Sequence, residues 1–532
     1  MRAKSSKDLS SGGEITRRAG IVAAGTLSSR ILGAVRDAVI AAVFTLGATD
    51  AFWLAFTIPN ALRVLLGEGA VSAAFIPVFS EVRERESNER AKLFFRQLAG
   101  TMSTLLLLVS IAGVLLAPWL VRLYAWGFQR EPELFETTIA LTRWLFPYIY
   151  LMGISALIMG ALNASKRFAA PAFAPAMLNI ALIGAALWLA PQFKHLGWPA
   201  VYALAIGALL GGGLQILVQL PALAKQDLLV RPQVQRGDPY VRKAMRLLVP
   251  LIAGLGIYQL NVLLARLFAS FLPLGSISYL YYGQRLAEIP QGMFALAIAS
   301  AALPSLSDAV TQGNEAEAKR LFRYALRLSL FVAIPSAVAL AILAEPATAV
   351  FFGRGRFGAE QMAETSRSFL WQAAGIWAVA SVRTVVPMFY AHNDTRTPVL
   401  ASAVNLLVFI GLSLLLMGPM QHAGLAAATT AAAIAQLLAL LLLLRRRAGK
   451  LGLREVAVSA GRVSLASGVM GAVVWGIAGL GEWERGGNDP RNLLVFSAAM
   501  LLGALSFLLA ARLLHAPELH DIGEALRRRK RA

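Results

Sequence analysis

Arg30, Arg36, Asp37, Asp50, Arg63 and Glu68 fall within one stretch, Leu27 to Gly69, that otherwise reads as two long apolar segments. A guanidinium offers a planar fork of donors that matches phosphate or carboxylate oxygens two at a time. At the centre of a lipid-facing helix a single Arg or Asp costs roughly 2.5–3.5 kcal/mol, so several would cancel the gain from a whole apolar segment. Such charges survive only where they face a shared watery cavity or one another. Arginines kept at that cost point to an anionic cargo, and their fork geometry points to phosphate. The stretch suits a transporter of a phosphate-bearing lipid.

A second constellation lies further along the chain. Ile58-Pro59-Asn60 is matched by Ile289-Pro290-Gln291, and a proline inside a helix removes a backbone hydrogen bond and bends it. Freed carbonyls at membrane depth are tolerated where they line a cavity. Arg63 sits one turn beyond Pro59, with Asn60 between them, while Arg285 and Glu288 sit within the turns before Pro290. Tyr281, Arg285 and Glu288 share a face at i, i+4, i+7. In the first helix Arg30 and Asp37 share a face, and Arg36 points about 120° away on a long stem. Gly25 and Gly33 permit bending or close approach. The competing reading is structural: Asp37 pairs with an arginine, and Arg285 with Glu288, only to hold helices. Arg266 and Arg383 are further candidates, although Arg266 and Arg143 stand near helix ends, where they can snorkel to the interface.

The elements that position these residues are transmembrane helices. The chain is 57% hydrophobic and only 15% charged, against about 25% charged in soluble domains, with a mean hydropathy of +0.63. Apolar stretches of about 20 residues or more occur near 18–44, 49–82, 93–118, 136–163, 171–192 and 198–223. Six more lie near 246–271, 276–308, 321–345, 361–391, 398–418 and 422–444, and two last ones near 458–480 and 491–514. That predicts an all-α polytopic membrane protein with fourteen transmembrane helices. Loops alternate in charge: Arg83, Arg85, Arg90, Lys92, Lys166, Arg167, Lys225, Arg231, Arg445 to Arg447 and Arg527 to Arg531 fall on one side. By the positive-inside rule that side is cytoplasmic and holds both termini. The net charge of +21 is accounted for in this way, without nucleic acid. No cleavable signal peptide is read at the N-terminus.

An internal repeat is visible. Pro77, Pro171 and Gly197 recur as Pro304, Pro398 and Gly424, each 227 residues on, and Asn179 is matched by Asn405. Six helices per copy give the two copies one orientation, related by an axis along the membrane normal. The predicted organisation is a cytoplasmic N-terminal tail (1–17), an N-lobe of helices 1–6 (18–223), a cytoplasmic linker (224–245) and a C-lobe of helices 7–12 (246–444). A basic loop (445–457), helices 13–14 (458–514) and a basic cytoplasmic tail (515–532) complete it. The two six-helix lobes form a parallel repeat, with the C-terminal pair outside it. The chain has no Cys, which excludes thiolate chemistry, and no phosphate-binding loop, HExxH pair or acidic metal cluster. No enzyme activity and no cofactor or metal is expected. The drive must come from a gradient, the membrane potential or consumption of product, and an anionic cargo favours the potential, with the coupling ion left open.

Residues 29–37 (Ser-Arg-Ile-Leu-Gly-Ala-Val-Arg-Asp), Ala48 to Phe52, Ile58 to Arg63, Gly67 to Ala70, Phe173 to Asn179 and Tyr281 to Pro290 resemble the MurJ (MviN) lipid II flippase family over nearly the whole chain. The resemblance implies the fold of the multidrug/oligosaccharidyl-lipid/polysaccharide exporter superfamily. It also implies transfer of the polyprenyl-diphosphate-linked peptidoglycan precursor, lipid II, from the cytoplasmic to the periplasmic leaflet of the bacterial inner membrane by alternating access. Family arginines map onto Arg30, Arg36, Arg63 and Arg285, and acidic residues onto Asp50 and Glu288. These, with Asn60, make the expected substrate site, with Asp37, Pro59, Glu68, Tyr281 and Pro290 supporting or gating it. Some members carry Arg where this chain has Val64, and Asp where it has Gln284, so neither position is essential in the same way here. The last two helices are implied to form a groove for the polyprenyl tail. Membrane lipids and cell-wall synthesis proteins complete the expected partners. Rival readings are an exporter of another polyprenyl-linked saccharide, a cation-coupled drug exporter of the same fold, or a polyprenyl-dependent transferase. The drug exporter would want an acid-dominated cavity, and the transferase a catalytic acid or base in an outer loop, which is not found.

Overall fold

The computed structural model describes residues 2–65, 70–235, 237–291, 296–521 and 524, and among these there is no strand. Contacts divide the chain into two compact units, Met1–Leu267 and Phe268–Ala532. The first holds α1 (Arg2–Val43), α2 (Leu46–Arg63), α3 (Ala70–Arg85), α4 (Asn88–Tyr124), α5 (Pro132–Leu145), α6 (Pro147–Ala164), α7 (Ala169–Gly184), α8 (Ala190–His195) and α9 (Tyr202–Ala224). Helix α10 (Pro239–Ser270) carries the chain into the second unit. There follow α11 (Ser276–Pro290), α12 (Leu296–Thr311), α13 (Glu315–Ile342), α14 (Ala344–Phe352), α15 (Ala359–Ala374), α16 (Ile376–Ala391), α17 (Arg396–Ala448), α18 (Leu453–Ala478) and α19 (Pro490–Leu513).

Local chemistry sets many of these boundaries. Pro132, Pro147 and Pro490 open their helices, where a missing N–H costs nothing. Ser87 caps α4 by accepting from the Arg90 amide at 3.1 Å, and Asn314 caps α13 by accepting from the Glu317 amide at 3.1 Å. Those caps stand 227 residues apart, as do the ends of α6 and α16 and the starts of α7 and α17. The intervening turns place Lys166 at φ 59 and Asn393 at φ 56. The sequence repeat is thus also a repeat of turns and caps.

Among the described residues, nine spans are long and apolar enough to cross a membrane. One of them, α17, is broken at Gln421 (φ 51, ψ −133), between the segments predicted at 398–418 and 422–444. Helices α1, α2, α10 and α11 are not among the nine.

In lipid, helices associate by packing rather than by expelling water, and small residues let backbones meet. A Cβ on Gly25 would stand 2.5 Å from the Ala172 carbonyl oxygen, so α1 and α7 touch there. Gly33 has nothing nearer than the Asn179 side chain at 3.8 Å, so it allows no comparable approach. The core of the first unit gathers Phe75, Phe79, Phe94, Phe95, Met102 and Phe146, with Phe75 stacked on Phe94 at 5.8 Å. In the second unit Phe331 of α13 packs with Met470 and Val474 of α18 and Phe507 of α19.

Two polar segments are better anchored than their composition suggests. The predicted linker is strapped to the ends of α3 and α4 by Arg90–Asp238 at 2.6 Å and Lys243–Glu81 at 2.5 Å. The predicted solvated tail begins with a buried residue: Glu518 is 1% exposed, accepts from the Ser459 hydroxyl at 2.7 Å and pairs with Arg327 at 3.2 Å. His515 and His520 stay exposed.

Candidate functional site

In the first unit the charged residues of α1 separate by environment. Arg30 is exposed, whereas Arg36 and Asp37 are 6% and 2% exposed. Arg36 Nε and Nη2 both donate to Asp37 Oδ1, at 2.9 and 2.6 Å. Its remaining arm, Nη1, donates to Asn179 Oδ1 at 3.0 Å. Asn179 Nδ2 in turn donates to the Ser29 carbonyl at 2.9 Å, so one amide ties α7 to two points on α1. The Arg36 guanidinium also lies 5.9 Å from the Trp53 ring centroid, within cation–π range. Helices α1, α2 and α7 meet at this arginine.

Helix α2 carries Asp50, which is 1% exposed, and runs helical through Pro59 to Arg63. Arg63 Nε donates to Asn60 Oδ1 at 2.9 Å. Residues 64–65 then adopt the wider π turn, a form that frequents functional sites. Glu68 lies outside the described residues.

In the second unit α11 presents a polar face one turn before Pro290. Arg285 Nε donates to the Tyr281 hydroxyl at 3.1 Å and Nη1 to Glu288 Oε2 at 3.0 Å. The other Glu288 oxygen, Oε1, accepts from Gln284 Nε2 at 3.0 Å. The Arg285 and Glu288 side chains remain 41% and 40% exposed, so an incoming ligand can reach both. Gln291, directly after Pro290, adopts a π turn. Arg383 of α16 reaches the Gln291 carbonyl at 3.4 Å.

The i, i+4, i+7 face of Tyr281, Arg285 and Glu288 is therefore a real hydrogen-bonded cluster, and Gln284 belongs to it. Asp37 does pair with an arginine, as the structural reading expects: the flexible stem of Arg36 brings its guanidinium back to the adjacent carboxylate. Arg266, expected near the interface, is 6% exposed and does not snorkel. Asn179 belongs to the repeat but not to the expected site residues. Its pairing with Arg36 spans 143 positions, and the only advance signal was a polar amide inside an apolar helix.

The chain is similar to known proteins. The sequence model of the family described as lipid II flippase MurJ matches residues 40–486. The lipid II flippase MurJ of Burkholderia cenocepacia is 36% identical over 406 residues, 75% of this chain and 78% of that protein. The probable lipid II flippase MurJ of Haemophilus influenzae is 34% identical over 509 residues, 92% and 99% of the two chains. A solved structure of lipid II flippase MurJ in an inward closed conformation shares the fold at a TM-score of 0.76 and 24% identity, covering 94% of this chain and 99% of that one. An inward-facing multidrug transporter of the MATE family aligns at a TM-score of 0.67 and 14% identity, covering 80% and 95%. With the family matched over most of its length and relatives above one third identity, the chain belongs to the lipid II flippase MurJ family.

Proposed function

We propose that the chain is a lipid II flippase that carries the undecaprenyl-diphosphate-linked precursor of peptidoglycan from the cytoplasmic to the periplasmic leaflet of the bacterial inner membrane. The observation that carries this reading is the family match over residues 40–486. In this reading the chain has fourteen spans, as two six-helix lobes in parallel repeat plus a C-terminal pair that accompanies the polyprenyl tail, with both termini cytoplasmic. Arg30, Arg36, Arg63 and Arg285 hold the diphosphate at successive stages of alternating access. Asp50, Asn60 and Glu288 hold those arginines when cargo is absent. Arg285 is the arginine best prepared for exchange: Tyr281 fixes its Nε side, while Nη1 rests on a half-exposed Glu288 that a phosphate can displace.

The drive is the membrane potential. Moving one charge through 100 mV is worth roughly 2.3 kcal/mol, and an inside-negative field pushes the anionic cargo outward. The arginines return empty, so the charge moved per cycle is set by the cargo and any co-ion. The test uses purified protein in liposomes with labelled lipid II, scored for leaflet exchange with and without a potential and without nucleotide. Exchange is expected only with the potential. Exchange of unrelated polyprenyl lipids at the same rate would overturn the cargo, and undiminished exchange after an ionophore collapses the potential, with the pH gradient intact, would overturn the drive.

A further inference from the structure

The turn that opens α7 differs in charge from its repeat counterpart at the start of α17. In the second unit Asn393 takes the left-handed backbone and Asp394 follows it. The Asp394 carboxylate accepts from the amides of Arg396 and Thr397 at 3.1 and 3.0 Å and from the Thr397 hydroxyl at 2.7 Å, and it pairs with Arg447. An anion therefore sits over the first amides of α17. At the same two positions in the first unit stand Lys166, also left-handed, and Arg167. The turn is the same, but it brings two cations and no carboxylate, and α7 begins without a side-chain cap.

Lys166 and Arg167 line a cavity of about 730 Å³ together with Lys225, which follows the end of α9. Its apolar wall comes from Ile21 of α1 and Val218 and Pro221 of α9. Among the described residues no acidic side chain lines it, and Asp227, two residues beyond Lys225, is held by Lys92. Three cations at helix ends around one cavity form an anion site by charge, and Arg167 adds a fork suited to phosphate. The volume falls in the range of organic-ligand pockets, roughly 300–1,000 Å³, which is more than a bare phosphate ion fills. The apolar wall asks for a ligand that is partly hydrocarbon.

We propose that this cavity binds a phosphate group carried by the headgroup of an anionic phospholipid, in the place that the Asp394 carboxylate occupies in the other unit. The site shares no residue with the arginine clusters assigned to the cargo. It makes the first unit dependent on a lipid anion where the second unit supplies its own.

The test follows the thermal unfolding midpoint of the purified full chain during titration with phosphatidylglycerol, phosphatidylcholine or inorganic phosphate. Phosphatidylglycerol is expected to raise the midpoint where phosphatidylcholine does not. Arg167→Gln and Lys225→Gln should each weaken the apparent affinity about fivefold, the effect of one cation near a lipid surface, and Lys450→Gln should leave it unchanged. Arg167→Asp, which installs the carboxylate of the other repeat, should abolish the response without lowering the lipid-free midpoint. An equal response to inorganic phosphate would overturn the lipid source. A full phosphatidylglycerol response in the Arg167 and Lys225 variants would overturn the site, and the two glutamine variants keep that outcome readable if Arg167→Asp does not fold.

Discussion

Arg36 and Asp37 form a buried pair, at 7% and 3% side-chain exposure, and a double-mutant cycle on them separates helix-holding from cargo-binding. Arg36→Met alone leaves the Asp37 carboxylate dry and stripped of both bonds to its oxygen, at 2.9 and 2.6 Å. It also removes the donor to Asn179. Breaking one side of a buried ion pair costs about 3–5 kcal/mol, whereas replacing both members by apolar residues of similar size is often neutral or stabilising. We therefore expect Arg36→Met to lower the unfolding free energy by about 3–5 kcal/mol and Arg36→Met/Asp37→Leu to recover most of that loss. The residual deficit should be about 1 kcal/mol for the acceptor left unpaired on Asn179. Chemical unfolding of the purified proteins measures the cycle, and lipid II exchange in liposomes is scored on the same samples. Since an apolar pair would hold α1 in place equally well, the transport role proposed for these charges predicts that the stable double variant does not flip. A double variant that flips at the wild-type rate would refute that reasoning and leave the pair a helix-holding contact. A single variant of unchanged stability would refute the energetics.

Arg285→Lys keeps the charge but loses the planar fork that reaches Tyr281 and Glu288, or two phosphate oxygens, in a fixed geometry; loss of one charge-assisted bond, about 1.5–3 kcal/mol, should slow exchange about ten- to a hundredfold. Asp394 gives a pH signature. Burial pushes its carboxyl up, but the Thr397 amide and hydroxyl, Arg447 and the Arg396 amide outweigh that and hold it below its ordinary value. Its contribution is therefore fully present above the unfolded value of about 3.9 and is lost as pH falls through the lower folded value, so Asp394→Asn should flatten the acid limb of a stability–pH profile. A Cβ at Gly25 would stand 2.5 Å from the Ala172 carbonyl oxygen, so Gly25→Leu should force α1 off α7 and lower the thermal unfolding midpoint, and a midpoint unchanged by the substitution would refute the tight α1–α7 contact.

What could be read in the sequence was whatever is periodic or local. The face of α11 followed from helical spacing, and the caps at Ser87 and Asn314 and the break near Gln421 fell where polar residues interrupt apolar runs. Side-chain direction was less legible. Spacing put Arg30 and Asp37 on one face, but a long guanidinium stem reaches a neighbouring residue as readily as one seven positions away. Long-range partners were not legible at all: Asn179 completes Arg36 from another helix. Glu518 is buried because Ser459 and Arg327 receive it, and nothing in a short polar tail announces that. The partner of Asp37 could be named in advance only as an arginine, and the fold shows that it is Arg36.

The two arginine–carboxylate pairs differ in how readily a ligand could open them. Arg285 and Glu288 are about 40% exposed, so water already competes for them. Exposed pairs of this kind are worth about 0–1 kcal/mol, and a phosphate can replace Glu288 without first moving a helix. Arg36 is saturated by Asp37 and Asn179 in a dry site, where separating the charges costs several times more. It can meet an anion only after α1 shifts against α7, where Gly25 now meets the Ala172 backbone. On the proposed function, cargo capture at the wet pair can therefore precede any rearrangement, and engagement of the dry one cannot. On the function proposed above, movement of α1 would gate the access of Arg36 to the diphosphate, and the charge that makes Arg36 expensive to bury would tie its release to that movement.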